Sequence, residues 1–241
     1  MTSKLIYNSF SVDDLLDLCE DDYINKFLLY EFNKKKLNKF LLKLPNEIVN
    51  IIKNYVIFKP RSNNELRYAT NLWCTRKKKA FEKFGHISLW NTENITDMSK
   101  LFIFHSYFNS VISSWNTSNV TNMRKMFYCA NDFNQPINKW DVSNVTNMSY
   151  LFCEADDFNQ PLSNWNVSNV TNMYMMFSYA ESFNQFIGNW DVSNVKNMKY
   201  MFIYARSFNQ TLDKWNIEST SDLNDMFGYS KSFDKLILLI K

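Results

Sequence analysis

The sequence predicts an α/β repeat solenoid of short parallel strands and short helices, preceded by an α-helical N-terminal region. Three observations predict it. Six of the seven Trp stand at 90, 115, 140, 165, 190 and 215, a constant spacing of 25. Met, Phe and Ile/Leu recur in the same register, with no insertion or deletion. Of 241 residues, 46% are hydrophobic and 17% aromatic, yet only three are Gly and four Pro. That composition supports a buried core and excludes disordered, collagen-like and Gly-loop nucleotide-binding designs.

Residues 1–64 form a helical region of their own. Ser11-Val12-Asp13-Asp14 opens a first helix with Asp in the place of the capping-box Glu. Tyr23 to Lys43 gives a second, with Phe27, Tyr30, Leu37, Phe40 and Leu41 apolar. Leu44-Pro45 breaks it, and Pro45 suits the first turn of a third helix through about Phe58. The stretch LPNEIVNIIKNYV resembles the opening of an F-box, with Leu44, Pro45, Glu47, Ile48, Ile51 and Ile52 at the matching places. That resemblance implies that residues 44–58 dock a ubiquitin-ligase subunit. An ordinary Pro-started amphipathic helix gives the same pattern, and both readings stand.

Residues 65–89 read as a capping helix and lead-in segment. Glu65 to Phe84 carries Leu66, Ala69, Leu72, Trp73, Ala80 and Phe81 on one side, suited to covering the first face of a stack. Gly85 ends the helix, and His86 serves as a capping or packing residue.

Residues 90–241 hold six repeats. With Trp as position 1, position 9 is Met98, Met123, Met148, Met173, Met198 and Leu223. Phe fills positions 13 and 19 throughout, and position 23 is Ile or Leu. Positions 9, 12, 13 and 16 (Met148, Leu151, Phe152 and Ala155) follow i, i+3, i+4, i+7, the pattern of a two-turn amphipathic helix. Thr146 at position 7 suits its N-cap. Trp140 and Val142 share a side of an extended segment, so the parallel strand runs over positions 23 to 3. A lone unit of this size cannot bury a core, whereas stacked copies can. Asn is unusually frequent, at 33 residues, and recurs at positions 5 and 20. An amide both donates and accepts, so stacked Asn can satisfy buried turns. Asn also tolerates left-handed backbone, which would let turns form without Gly.

The string FNQPINKWDVSNVTNMSYLF, Phe133 to Phe152, and its copies resemble the BspA-like, mycoplasma-lipoprotein-type repeats, a family found also in large DNA viruses. The resemblance covers about residues 87–241. It implies a leucine-rich-repeat-like solenoid that binds protein partners and has no enzymatic activity or cofactor. The lead-in segment is similar to that of viral members.

Net charge is +2 over residues 1–64, +4 over 65–89 and −3 over 90–241. A mildly acidic array argues against a nucleic-acid groove. The N-terminus has no sustained apolar core and the longest aliphatic run, Leu236 to Ile240, is too short to span a membrane. Cys19, Cys74, Cys129 and Cys153 lack metal-ligand spacing and read as reduced thiols, placing the protein inside the cell: cytoplasmic, or in a virion or host cytoplasm if viral. No nucleophile–base pair or metal cluster is spelled out, so catalysis is not expected. Binding falls to outward positions that vary. Tyr179, Tyr204 and Tyr229 recur at position 15, after Phe104, and Tyr150 and Tyr200 at position 11. These rings are either a partner-contacting stripe or the rim of the core. Three functions follow: a protein-binding repeat module, an F-box-like ubiquitin-ligase substrate adaptor, or a structural or virion scaffold component.

Overall fold

The computed structural model describes residues 57–218, 220 and 225–228. The expected N-terminal helices up to residue 56, the F-box-like residues Leu44, Pro45, Glu47, Ile48, Ile51 and Ile52, and Tyr229 lie outside the described residues.

The expected capping helix is two helices, α1 (Asn63–Thr75) and α2 (Lys77–Phe84). Ser62 caps α1, its hydroxyl accepting the Glu65 N–H at 3.2 Å. The break falls at Arg76, whose φ of −143° leaves the helical region. Gly85 terminates α2 at φ 67°, a left-handed value that suits Gly. His86 caps a short 3₁₀ turn, Ile87–Leu89, its Nδ1 accepting the Ser88 N–H at 3.3 Å.

From Trp90 onward each 25-residue unit lies against the next in strict register. The inward positions are those the sequence marks. In the third repeat Trp140, Val142, Val145, Met148, Leu151, Phe152, Ala155, Phe158 and Leu162 are all buried. The Phe at 13 stacks on the Phe at 19 of its own repeat at 3.7–4.2 Å between centroids. It also stacks on the Phe at 13 of the next repeat at 5.5–5.7 Å. From Trp115 on, each Trp indole N–H reaches back 28 residues to a carbonyl, as Trp140 does to Ile112 at 3.2 Å and Trp165 to Ile137 at 3.1 Å, whereas Trp90 donates to the Phe84 carbonyl at 2.9 Å.

The local backbone differs from the expectation. Positions 9 to 16 form successive turns in place of a helix. Met126 donates to Met123, Ala130 to Phe127 and Phe133 to Ala130, each three residues back. The N–H groups between them leave the repeat: Met123, Lys125, Phe127 and Cys129 donate to the carbonyls of Asn147, Ser149, Leu151 and Cys153 in the next, at 2.9–3.0 Å. An α-helix would spend those donors internally. The expected strand at positions 23 to 3 is a turn, since Trp140 donates to Ile137. Parallel pairing moves instead to position 8, as single bridges joining Asp97, Asn122, Asn147, Asn172 and Asn197. Thr146 is a rung and not a helix cap: its N–H and hydroxyl both donate to the Thr121 carbonyl.

The Asn residues meet half of their expectation. At position 20, Asn134 Oδ1 accepts the Asn159 N–H at 3.1 Å and Gln160 Nε2 at 2.8 Å, and the pattern repeats one unit on. At position 5, Asn144 donates to the Ser118 carbonyl at 2.7 Å. The left-handed residues, however, are not Asn. They fall at positions 11 and 15: Lys100, Lys125, Tyr150, Met175, Tyr200 and Asp225, with Phe104, Cys129, Glu154, Tyr179 and Tyr204. A Cβ makes that backbone unfavourable by about 1–2 kcal/mol per residue, which the inter-repeat hydrogen bonds offset.

Two stability measurements check this geometry. Lys100, exposed at φ 62°, is predicted to accept Gly within about 0.5 kcal/mol, whereas Lys100→Val costs about 1–2 kcal/mol in urea unfolding. A helix would instead penalise the Gly by about 1 kcal/mol. Trp140→Phe keeps a ring but removes one of the two hydrogen bonds to the Ile112 carbonyl, which retains the Trp115 N–H, lowering stability by about 0.5–1.5 kcal/mol, and Trp140→Ala by about 3–5 kcal/mol.

Candidate protein-binding face

With 9, 12, 13 and 16 turned inward, positions 11 and 15 face outward, joined by 10 and 14 where the residue is large. Small residues there, Ser149, Cys153 and Ser178, are buried. Stacking in register turns the outward positions into a run of rings. Phe104 lies 5.2 Å from Tyr128, Tyr128 5.9 Å from Tyr150, Tyr150 5.0 Å from Tyr174, and Tyr174 6.0 Å from Tyr200. Tyr179 and Tyr204 form a separate stacked pair at 4.5 Å. Cations border the run. Lys125 Nζ is 4.4 Å from the Tyr150 ring and 5.2 Å from Tyr128, and Lys199 Nζ is 5.0 Å from Tyr200.

The rings are half-buried, with Phe104 and Tyr179 exposed at 64% and 42%. Burial, together with the Tyr174 hydroxyl, pushes the Tyr150 phenol up to about 12. Burial also raises Tyr128, aided by the nearby Glu154 carboxylate. Both stay neutral hydrogen-bonding groups at physiological pH. Beneath the face, the Cys129 thiol donates to Glu154 Oε2 at 3.3 Å. Burial, then the Glu154 charge, pushes the Cys129 and Cys153 thiols up to about 12. Burial alone does the same to Cys74. Among the described residues no group of three or more His, Cys, Asp or Glu is placed to hold a metal ion.

Of the residues expected to bind, Tyr150 and Tyr200 come together through Tyr174, and Tyr179 meets Tyr204. The two groups are not one column, because positions 11 and 15 lie a turn apart. Tyr128 and Tyr174 complete the run, and periodicity alone could not select them. Each is a single aromatic, at position 14 and position 10, that joins the others only once neighbouring repeats are in register.

Two segments, residues 73–168 and 137–238, match the family described as "Mycoplasma protein of unknown function, DUF285". The chain belongs to this family. The overlapping matches run from residue 73 to 238 and so take in α2 and the last three residues of α1 as well as the DUF285 repeats. No curated protein matches the chain, and no solved structure does. No described helix of this DUF285 chain is long and apolar enough to cross a membrane.

The shielded thiols give a direct test. At about pH 8.5, Cys129 and Cys153 are predicted to alkylate at least tenfold more slowly in the folded chain than in urea, read by mass spectrometry. The same shift has a stability consequence. The folded pKa lies above the unfolded value, so the contribution is full below about pH 9 and is lost as pH rises towards 12.

Proposed function

We propose that this DUF285 chain is a non-catalytic, protein-binding repeat protein, built as a leucine-rich-repeat-like solenoid whose turn face meets the partner. The observation that carries the reading is the run of five rings from Phe104 to Tyr200, bordered by Lys125 and Lys199. Tyr offers area, a polar tip and little side-chain entropy to lose, and so suits an interface. The rings also pack on one another, which holds them rigid before a partner arrives. Cys74, Cys129 and Cys153 as buried or half-buried thiols favour a reducing compartment, and we place the protein inside the cell. The viral members of the resembling family make a viral source part of this reading.

The test compares the full chain with its Tyr179→Ala/Tyr204→Ala and Tyr174→Ala/Tyr200→Ala variants as baits. A partner captured by wild type is expected to fall at least tenfold on one or both variants whose thermal unfolding is unchanged. Capture unaffected by either variant overturns the face as the binding site. Unfolding of both shows that the rings belong to the core. The F-box-like residues support a second reading, an adaptor that docks a ubiquitin ligase through 44–58. Ile48→Asp/Ile51→Asp in the full chain is then expected to abolish co-purification of a ligase linker subunit. Failure of the wild type to recover that subunit sinks the adaptor.

A further inference from the structure

The hydrogen-bonding column is incomplete where the array begins. In later repeats the carbonyls at positions 8, 10, 12 and 14 accept the N–H groups of the repeat before, as Asn147, Ser149, Leu151 and Cys153 do. The first repeat has no repeat before it. Side chains of α1 stand in over part of its edge. Asn63 Oδ1 accepts the N–H groups of Thr96 and Asp97 at 3.1 and 3.3 Å. The Arg67 guanidinium donates to the Ser99 carbonyl at position 10 and pairs with Asp97 at 2.9 Å. The next two acceptors, the carbonyls of Leu101 and Ile103 at positions 12 and 14, receive no hydrogen bond from the described residues.

These two residues line a cleft of about 570 Å³, with Arg67, Asn71 and Lys100 around it. His105 forms part of its wall and part of the wall of a second cleft, of about 270 Å³, which Trp73, Lys77, Phe104 and Tyr107 line. The surface here departs from the other repeats. Position 18 is Asp or Ser in the next four repeats, at Asp132, Asp157, Ser182 and Ser207, yet here it is Tyr107, 91% exposed. Phe104 beside it is 64% exposed. Two large exposed rings at one cleft form a patch that a folded monomer does not need. The patch borders the most basic stretch of the chain. Lys77 lines the mouth with its Nζ 5.2 Å from the Trp73 ring, and Arg76, Lys78 and Lys79 are exposed next to it.

We propose that these two clefts, joined at His105, together hold an extended acidic peptide segment of a protein partner, which continues the column by donating alternate backbone N–H groups to the Leu101 and Ile103 carbonyls. An extended chain presents N–H groups to one side at every second residue, which matches acceptors two residues apart. One apolar side chain of the peptide lies against Phe104 and Tyr107, and its carboxylates face Lys77 and the adjoining cations. Main-chain donors supply affinity, and the ring contact and charge supply selection. The proposal rests on the protein-binding reading and names a second site for it, at the cap, which shares Phe104 with the near end of the stripe.

The probe is a random dodecapeptide library displayed on phage and selected on the immobilised full chain. Selection is expected to enrich peptides with two or more Asp or Glu around one aliphatic or aromatic residue. The leading peptide, synthesised, should bind Tyr107→Ala and Lys77→Glu chains at least tenfold more weakly. Both side chains are solvent-exposed, so the variants keep wild-type thermal unfolding. N-methylation of alternate amides beside the peptide's anchor should weaken binding by a similar factor. No enrichment, enrichment of peptides without acidic residues, or indifference to Tyr107→Ala, Lys77→Glu and N-methylation would overturn the proposal. Enriched peptides that respond to Tyr179→Ala/Tyr204→Ala and not to Tyr107→Ala overturn the cleft while leaving the protein-binding reading standing. Absence of enrichment, combined with a wild-type bait that captures no partner, removes both.

Discussion

Each of the first four repeats hands the N–H groups of positions 9, 11, 13 and 15 to carbonyls of the repeat that follows, and the rest of the described structure depends on this transfer. A buried donor without an acceptor costs about 1–3 kcal/mol, so four such donors per repeat leave little freedom in register. One inserted residue would displace all four at once, which accounts for a 25-residue period kept without interruption from Trp90 to Trp215. The transfer also dictates the backbone. Donors at alternate positions must point the same way along the stack, and the chain achieves this through left-handed residues at 11 and 15. With the backbones so close, the Phe columns come into contact at 5.5–5.7 Å, and aromatic packing reinforces the hydrogen bonds that caused it.

The inward residues were legible from periodicity, because a repeated core must use the same side chains each time. Trp140, Met148, Phe152 and Phe158 needed nothing beyond their spacing to be placed inside. The backbone that carries them was not legible. Successive three-residue turns bring positions 9, 12, 13 and 16 to one side, and a helix does the same, so the apolar pattern fits both. The residue types at the left-handed positions gave no warning, since Lys, Tyr, Met, Cys and Glu ordinarily avoid that region. Only the neighbouring repeat makes those torsions favourable, and the period of the apolar residues does not record where the N–H groups go. The Asn ladders lie between these cases. Their chemistry announces backbone partners, but only the register shows Asn159 bonded to Asn184 of the next repeat.

The outer face follows from the same register. Residues that recur at one position form a column, and residues that do not can still become neighbours across a diagonal, as Tyr128 and Tyr150 do. A stripe assembled in this way is partly cohesive, because each ring covers its neighbour, and partly available, because the upper faces remain in solvent. The two roles support each other. Rings fixed by mutual contact lose little entropy when a partner arrives, so their burial converts more fully into affinity. The bordering Lys residues give the stripe a sign of charge, and on the proposed reading that charge would select among partners more than it strengthens binding.

Over positions 8 to 15 the hydrogen bonds between repeats run one way, so the two ends of that column are unlike, one presenting carbonyls and the other N–H groups. The carbonyl end is the one the described residues show, and α1 treats it unevenly. Asn63 and Arg67 imitate the missing repeat at positions 7, 8 and 10, one with an amide oxygen and the other with a guanidinium. Were α1 only a lid, the same economy would have placed donors over Leu101 and Ile103 as well. Instead the helix is interrupted at Arg76, and two clefts open that share His105: Leu101 and Ile103 line one, and Lys77 of the second helix and the two exposed rings line the other. Backbone acceptors are the part of a repeat protein that side-chain variation cannot remove. An end left open in this way keeps its hydrogen-bonding capacity however the residues around it change, and here that capacity lies close to the basic run Arg76 to Lys79.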